Sequence, residues 1–199
     1  MNSYRAFQSV LAAFALAFVA HAAAAVDAEN GRKLAYACMG CHGIEHYKNA
    51  YPKYSVPKLG GQSASYIVAA LAEYDAKDRW HPTMQGYAAS LSAEDRANLA
   101  AWFASLSKRG SGAKQVGTPP KSAAACTACH GNDGFGTIAE NPTIAGQHAD
   151  YLVQALDDYR LGKRKNPVMG TFAKALTREE IHALAEYFSK QPGLSTPKL

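Results

Sequence analysis

Cys126-Thr127-Ala128-Cys129-His130-Gly131 puts two thiols three residues apart with an imidazole directly after the second. Cys38-Met39-Gly40-Cys41-His42-Gly43 repeats the arrangement 88 positions earlier. C-x-x-C-H is the spacing of c-type haem attachment. Each thiol can add to one vinyl group of a haem, and the next side chain is then held beside the iron as an axial ligand. The chain has four cysteines, and the two motifs use all of them. A zinc ribbon would bring its pairs within roughly 15 to 20 residues of each other. A redox dithiol or a disulfide has no need of His-Gly after the second cysteine. The residues therefore point to two haem c groups, covalently attached at Cys38, Cys41, Cys126 and Cys129, with His42 and His130 on the irons.

The chain opens with Arg5 in a short polar region, an apolar run from Val10 to Ala20, and small residues up to Ala25. This order is that of a secretory signal peptide. The run is alanine-rich, interrupted by His21, and short of the roughly 20 strongly apolar residues that span a bilayer. Residues 1–25 are expected to be cleaved near Ala25, which sends the protein to the periplasm, where bacterial c-type haem is attached. Charge is uneven in the remainder. Residues 27–107 carry eight Lys/Arg against eight Asp/Glu, and residues 108–199 carry twelve against eight, so the positive excess lies in the second half.

One unit is written twice. Pro57-Lys58-Leu59-Gly60-Gly61-Gln62, followed by Tyr66, recurs 85 positions on as Pro142-Thr143-Ile144-Ala145-Gly146-Gln147, followed by Tyr151. The offset persists through Tyr74/Tyr159, Arg79/Arg164, Pro82/Pro167, Met84/Met169, Leu99/Leu184 and Phe103/Phe188. Because the cysteine motifs are offset by 88, the first copy holds three extra residues between Ile44 and Val56. Both copies read as all-helical. A short helix leads into each motif, over 29–37 and 119–125. A middle helix aligns Tyr66, Ala70 and Tyr74, or Tyr151, Ala155 and Tyr159, on one face. A last helix starts at a capping box, Ser92-x-x-Asp95 or Thr177-x-x-Glu180. Lys108 to Pro120 is rich in Gly, Pro and Lys without apolar periodicity. The expected organisation is a first domain over 26–107, a linker over 108–120 and a second domain over 121–199. A unit of about 85 residues with three short helices buries little surface alone, so a haem would complete each core.

The sixth ligand follows from counting methionines. Met1 leaves with the signal, and Met39 lies inside the attachment motif. Met84 and Met169 remain, one per unit, each two residues after a proline, on a loop expected between the middle and last helices. They are the expected sixth ligands. His46, His81, His148 and His182 do not repeat in register and read as surface or supporting groups, with His81 the competitor to Met84.

The two C-x-x-C-H-G motifs, the two P-x-x-x-G-Q-x-x-x-Y segments and the late methionines together resemble the dihaem cytochrome c4 family, over essentially the whole mature chain. That resemblance implies two tandem class I cytochrome c domains related by an approximate twofold axis, each wrapping one covalent haem. It also implies His42/Met84 and His130/Met169 ligation, with the carbonyls of Pro57 and Pro142 orienting the histidines. The second unit follows the family pattern more closely, with Asn132-Asp133-Gly134 after its motif where the first has Ile44-Glu45-His46-Tyr47.

The implied function is a periplasmic electron carrier, not an enzyme. It would pass single electrons from a quinol-oxidising bc complex or a dehydrogenase to a terminal oxidase, with loose association at the membrane surface, no nucleic acid and no small-molecule substrate. The alternatives are a dihaem enzyme acting on peroxide or thiosulfate, and a dedicated cytochrome subunit of one dehydrogenase. Lys163-Arg164-Lys165, close before Met169, reads as a cationic patch that would dock an acidic partner at the second haem.

Overall fold

Side-chain oxygens start the helices that frame each unit. Asp27 accepts from the amides of Glu29 and Asn30, and Ser92 and Thr177 form reciprocal capping boxes with Asp95 and Glu180. Each such cap is worth about 1 kcal/mol. The computed structural model describes residues 25–106 and 114–199. The expected signal segment, Ala25 apart, and residues 108–113 of the expected linker lie outside them. Among the described residues there are nine α-helices and three isolated β-bridges, with no sheet. The first unit holds α1 (Ala28–Leu34), α2 (Tyr36–His42), α3 (Ala64–Asp75), α4 (Pro82–Ala89) and α5 (Ala93–Ser105). The second holds a 3-10 turn (Lys121–Ala123), α6 (Ala124–His130), α7 (Ala149–Arg160), α8 (Pro167–Ala175) and α9 (Arg178–Ser189).

Two expectations about local structure are corrected. The single helix expected over 29–37 is broken at Ala35, and the cysteine motif lies inside the helix that follows the break. In the second unit the 3-10 turn takes the place of α1, and the motif is again helical. The proline segments expected as loops are helices too. Pro82 and Pro167 occupy the first helical position, where the missing N–H costs nothing and the fixed φ favours the helix.

The buried cores are small. The first unit gathers Ala35, Ile67, Leu99, Ala100, Trp102 and Phe103, and the second Ala123, Leu184, Tyr187 and Phe188. Around them stand half-buried apolar side chains, among them Leu59, Val68, Leu71 and Leu91 in the first and Ile144, Leu152 and Leu176 in the second. Helix α1 lies so close on α5 that a Cβ on Gly31 would fall 1.9 Å from the Asn98 carbonyl oxygen.

The two units meet across an approximate twofold axis, visible as hydrogen bonds that recur when 85 is added to one partner and subtracted from the other. Gln62 Nε2 donates to Thr143 O (2.9 Å) and Gln147 Nε2 to Lys58 O (3.0 Å). Arg79 donates to Tyr151 Oη and Arg164 to Tyr66 Oη, both at 2.5 Å. The Trp80 amide donates to Lys163 O (3.0 Å) and the Lys165 amide to Asp78 O (2.8 Å), around an antiparallel bridge between Arg79 and Arg164. The tyrosine face of each middle helix, legible in the sequence as a stripe, is therefore turned to the other unit.

Asymmetric straps reinforce this pairing. The longer loop of the first unit sends Lys48 Nζ, Ser55 N and Ser55 Oγ to the Asp150 carboxylate. The C-terminal tail pairs Ser195 with Gly60 in both directions.

The interface corrects the expected docking patch. Arg164 is only 5% exposed, and its guanidinium lies on the Tyr159 ring, 4.5 Å from the centroid. Lys165 is paired with Asp78 of the first unit at 2.8 Å. What reads in sequence as a cationic docking patch of three residues is in part an inter-unit seam, of which Lys163 and Lys165 remain exposed.

Substituting Gly31→Ala forces α1 away from α5, and overpacking of this kind costs about 1–3 kcal/mol. Urea unfolding should show the loss as a lowered midpoint, and an unchanged midpoint would contradict the close approach.

Candidate haem-binding sites

Helical geometry explains the C-x-x-C-H spacing. Residues three apart lie on one face, so Cys38 and Cys41 are neighbours on α2, with His42 as its last residue. Cys126, Cys129 and His130 repeat this on α6. None of the four cysteines is paired in a disulfide. Cys38 and Cys126 pack against the edge of their unit's core, and burial pushes both thiols above their ordinary pKa. Among the described residues no three His, Cys, Asp or Glu side chains converge as a metal-holding group. The two cysteine pairs thus stand apart, each with its own histidine.

The histidine rings are fixed by backbone. His42 Nδ1 lies 2.8 Å from Pro57 O and His130 Nδ1 lies 3.0 Å from Pro142 O. A carbonyl oxygen only accepts, so Nδ1 carries the proton and Nε2 keeps its lone pair for a metal. Burial pushes both imidazoles below their ordinary pKa, against the opposite pull of the carbonyl bond. A neutral ring with Nε2 free is the form that ligates iron.

Met84 and Met169 come from separate helices, α4 and α8, which pack on α3 and α7. Both are half-buried and occupy the third position of their helix. There the amide would lack an intrahelical acceptor, and a side chain supplies one. His81 Nδ1 accepts from the Met84 amide (3.3 Å) and Asn166 Oδ1 from the Met169 amide (3.0 Å). His81 and Asn166 are aligned in the repeat, so His81 serves its unit as the cap that Asn166 is in the other. Burial and the charge of Arg79 push the His81 ring below its ordinary pKa, which keeps Nδ1 able to accept. Met39 packs against the first core.

These residues fit a haem. Each unit offers two adjacent thiols, a neutral imidazole pre-oriented through Nδ1, and a methionine carried in register by another helix. Half-buried apolar side chains border a core too small to cover them. Sequence reasoning missed the pairing residues Gln62, Gln147, Arg79 and Arg164 and the caps His81 and Asn166. The signal was present in the exact repeats of G-Q and of Arg79 as Arg164, and in a side chain able to accept a hydrogen bond before each Pro, but nothing in it distinguished contact with the other unit from packing within one.

Comparison with known proteins agrees with the geometry. The family model described as Cytochrome c matches residues 28–107 and 121–191. The thiosulfate dehydrogenase electron acceptor of Stutzerimonas stutzeri is 36% identical over 172 residues, covering 78% of this chain and 79% of the relative. Cytochrome c4 of Pseudomonas aeruginosa is 32% identical over 195 residues, covering 90% and 94%. The crystal structure of reduced recombinant cytochrome c4 from Pseudomonas stutzeri superposes with a TM-score of 0.65 at 29% identity, over 86% of this chain and all of that one. Thiosulfate dehydrogenase (TsdBA) from Marichromatium purpuratum gives 0.67 at 29% identity, over 83% of this chain but only 40% of that one.

Removing the cap by Asn166→Ala should destabilise α8 by about 1 kcal/mol, and Asn166→Ser should recover most of it. Thermal unfolding of the two variants checks this, and equal stability of Ala and wild type would show the cap to be idle.

Proposed function

The chain belongs to the cytochrome c family and, within it, to the dihaem cytochrome c4 group. On that premise, we propose that it is a periplasmic shuttle carrying single electrons between respiratory partners, from a quinol-oxidising bc complex or a dehydrogenase to a terminal oxidase. Two covalently bound haem c groups supply the one-electron iron couple of this electron-transfer cytochrome. In the proposal Cys38 and Cys41 carry the first haem and Cys126 and Cys129 the second. His42 and Met84 ligate one iron, and His130 and Met169 the other. The observation that carries the reading is the doubled set of a carbonyl-oriented histidine and an amide-capped methionine helix. A haem iron held by both a histidine and a methionine would exchange electrons without presenting an open site to a substrate.

The 36% identical electron acceptor favours one form of this reading, in which the donor is a dehydrogenase. The chain then acts as that enzyme's electron acceptor, and no residue of its own is catalytic. The proposed division places residues 1–25 in a cleaved signal and the two domains at 26–107 and 121–199, joined by the segment between them. Exposed partner surfaces and weak membrane association belong to the same proposal.

Oxidised protein should show the far-red methionine-to-iron charge-transfer band at an intensity for two haems. Met84→Ala or Met169→Ala should each halve it and lower the potential of the affected haem, because a thioether favours ferrous iron. A band unmoved by either substitution sinks the ligand assignment. Turnover of thiosulfate or peroxide by the pure protein should be negligible, and substantial turnover would establish the enzyme reading.

A further inference from the structure

The peptide bond that follows each conserved-in-repeat proline has two ends, and each end meets a different unit. The Pro57 carbonyl accepts from His42 Nδ1 (2.8 Å), and the N–H of the same peptide, that of Lys58, donates to Gln147 Oε1 of the second unit (2.9 Å). The arrangement is reversed on the other side. The Pro142 carbonyl accepts from His130 Nδ1 (3.0 Å), and the Thr143 N–H donates to Gln62 Oε1 of the first unit (2.9 Å).

Neither glutamine has freedom to leave. Both are 4% exposed. Gln147 Oε1 also accepts from the His148 amide (3.0 Å) while Nε2 donates to Lys58 O (3.0 Å). Gln62 Oε1 also accepts from the Ser63 amide (2.9 Å) while Nε2 donates to Thr143 O (2.9 Å). Each side chain thus grips both the N–H and the C=O of one residue in the opposite unit. Gly61 and Gly146, just before the glutamines, hold φ of 83° and 72° and donate to the carbonyls of Phe103 and Phe188. That anchors each glutamine to its own last helix.

Hydrogen bonds in series polarise one another, and a peptide whose N–H is donating has a more negative carbonyl. A more negative carbonyl draws harder on the imidazole Nδ1 proton and makes Nε2 a stronger donor to a metal. We propose that Gln147 and Gln62 are positioning residues acting across the interface, each setting the donor strength of the axial histidine in the other unit. The inference rests on the reading of His42 and His130 as iron ligands. Its consequence is that each haem's potential depends on how the two units are docked, through a chain of four groups: glutamine, peptide, histidine and iron.

The test uses full-length dihaem protein carrying Gln147→Leu, Gln62→Leu or Gln147→Glu. Haem content and the far-red band are recorded first, then spectroelectrochemical titration and proton NMR of the histidine Nδ1–H signals in the reduced state. Gln147→Leu should raise one of the two potential waves and move the His42 Nδ1–H signal upfield, leaving His130 in place. Gln62→Leu should do the reverse, on the other wave. Gln147→Glu offers Lys58 a stronger acceptor and should move the His42 proton downfield, a change of sign that mere loosening of the interface would not produce. It also keeps the test decisive if the leucine variants fail to assemble. Two waves moving together, a shift confined to the substituted unit, or His42 signals moving the same way in Leu and Glu variants would overturn the relay. A wild-type protein without histidine ligation would instead overturn the ligand assignment on which it rests.

Discussion

The contact on which the structure most depends is the two-sided use of the Pro57–Lys58 and Pro142–Thr143 peptides. One side orients the histidine of its own unit and the other is gripped by the glutamine of its neighbour. The haem-site geometry and the interface are therefore the same set of hydrogen bonds. Neither can be altered alone, because a peptide is a rigid plane and moving its N–H moves its C=O.

The rest of the interface shows what this docking has to overcome. Arg79 and Arg164 are 7% and 5% exposed and face each other across the axis. Among the described residues neither guanidinium is in salt-bridge range of a carboxylate. Burying a cation without an anion is costly, and here tyrosines offset the cost. Each guanidinium lies 4.5 Å above a ring of its own unit and donates to a tyrosine hydroxyl of the other. A desolvated cation–π contact is worth about 2 kcal/mol. Burial pushes both arginines down in pKa, as the Arg164 charge does for Arg79, but Tyr66, Tyr74 and Tyr151 beside both, with Tyr159 beside Arg164, outweigh this and raise both above the ordinary value, so both remain charged. The contiguous buried apolar clusters, six residues in the first unit and four in the second, are small, and each unit draws the remainder of its apolar cover from this seam and from the haem.

Strict twofold symmetry is broken where the sequences differ in length. The first unit's extra residues between Ile44 and Val56 reach Asp150 of the second, while the second unit's tail reaches Gly60 of the first. Tyr47 and Tyr51 of the longer loop, and Tyr36 at the start of α2, are exposed on the first unit, so the two units present different surfaces although their ligand-bearing segments match. A positive excess counted along the chain says little about such surfaces, since one of the second unit's cations is buried in the seam and another is paired with the first unit.

The doubled C-x-x-C-H motif, the 85-residue register and the recurrence of Met84 as Met169 were enough to point to the family, the two haem groups and the helical class. Covalent attachment needs two cysteines only three positions apart, inside a motif of five residues, and a repeat is visible to simple alignment. Capping boxes at Ser92 and Thr177 were legible for the same local reason. The helical start at Pro82 and Pro167 was missed because a proline between apolar segments reads equally well as a loop, and only the packing of α4 on α3 and of α8 on α7 decides it. The sequence could not say that the tyrosine stripe, the G-Q pairs and Arg164 look outward to a partner unit, since burial against another domain and burial within one leave the same pattern of residues. That distinction is made by contacts 70 to 100 positions apart, which only the docked tertiary structure brings within hydrogen-bonding distance.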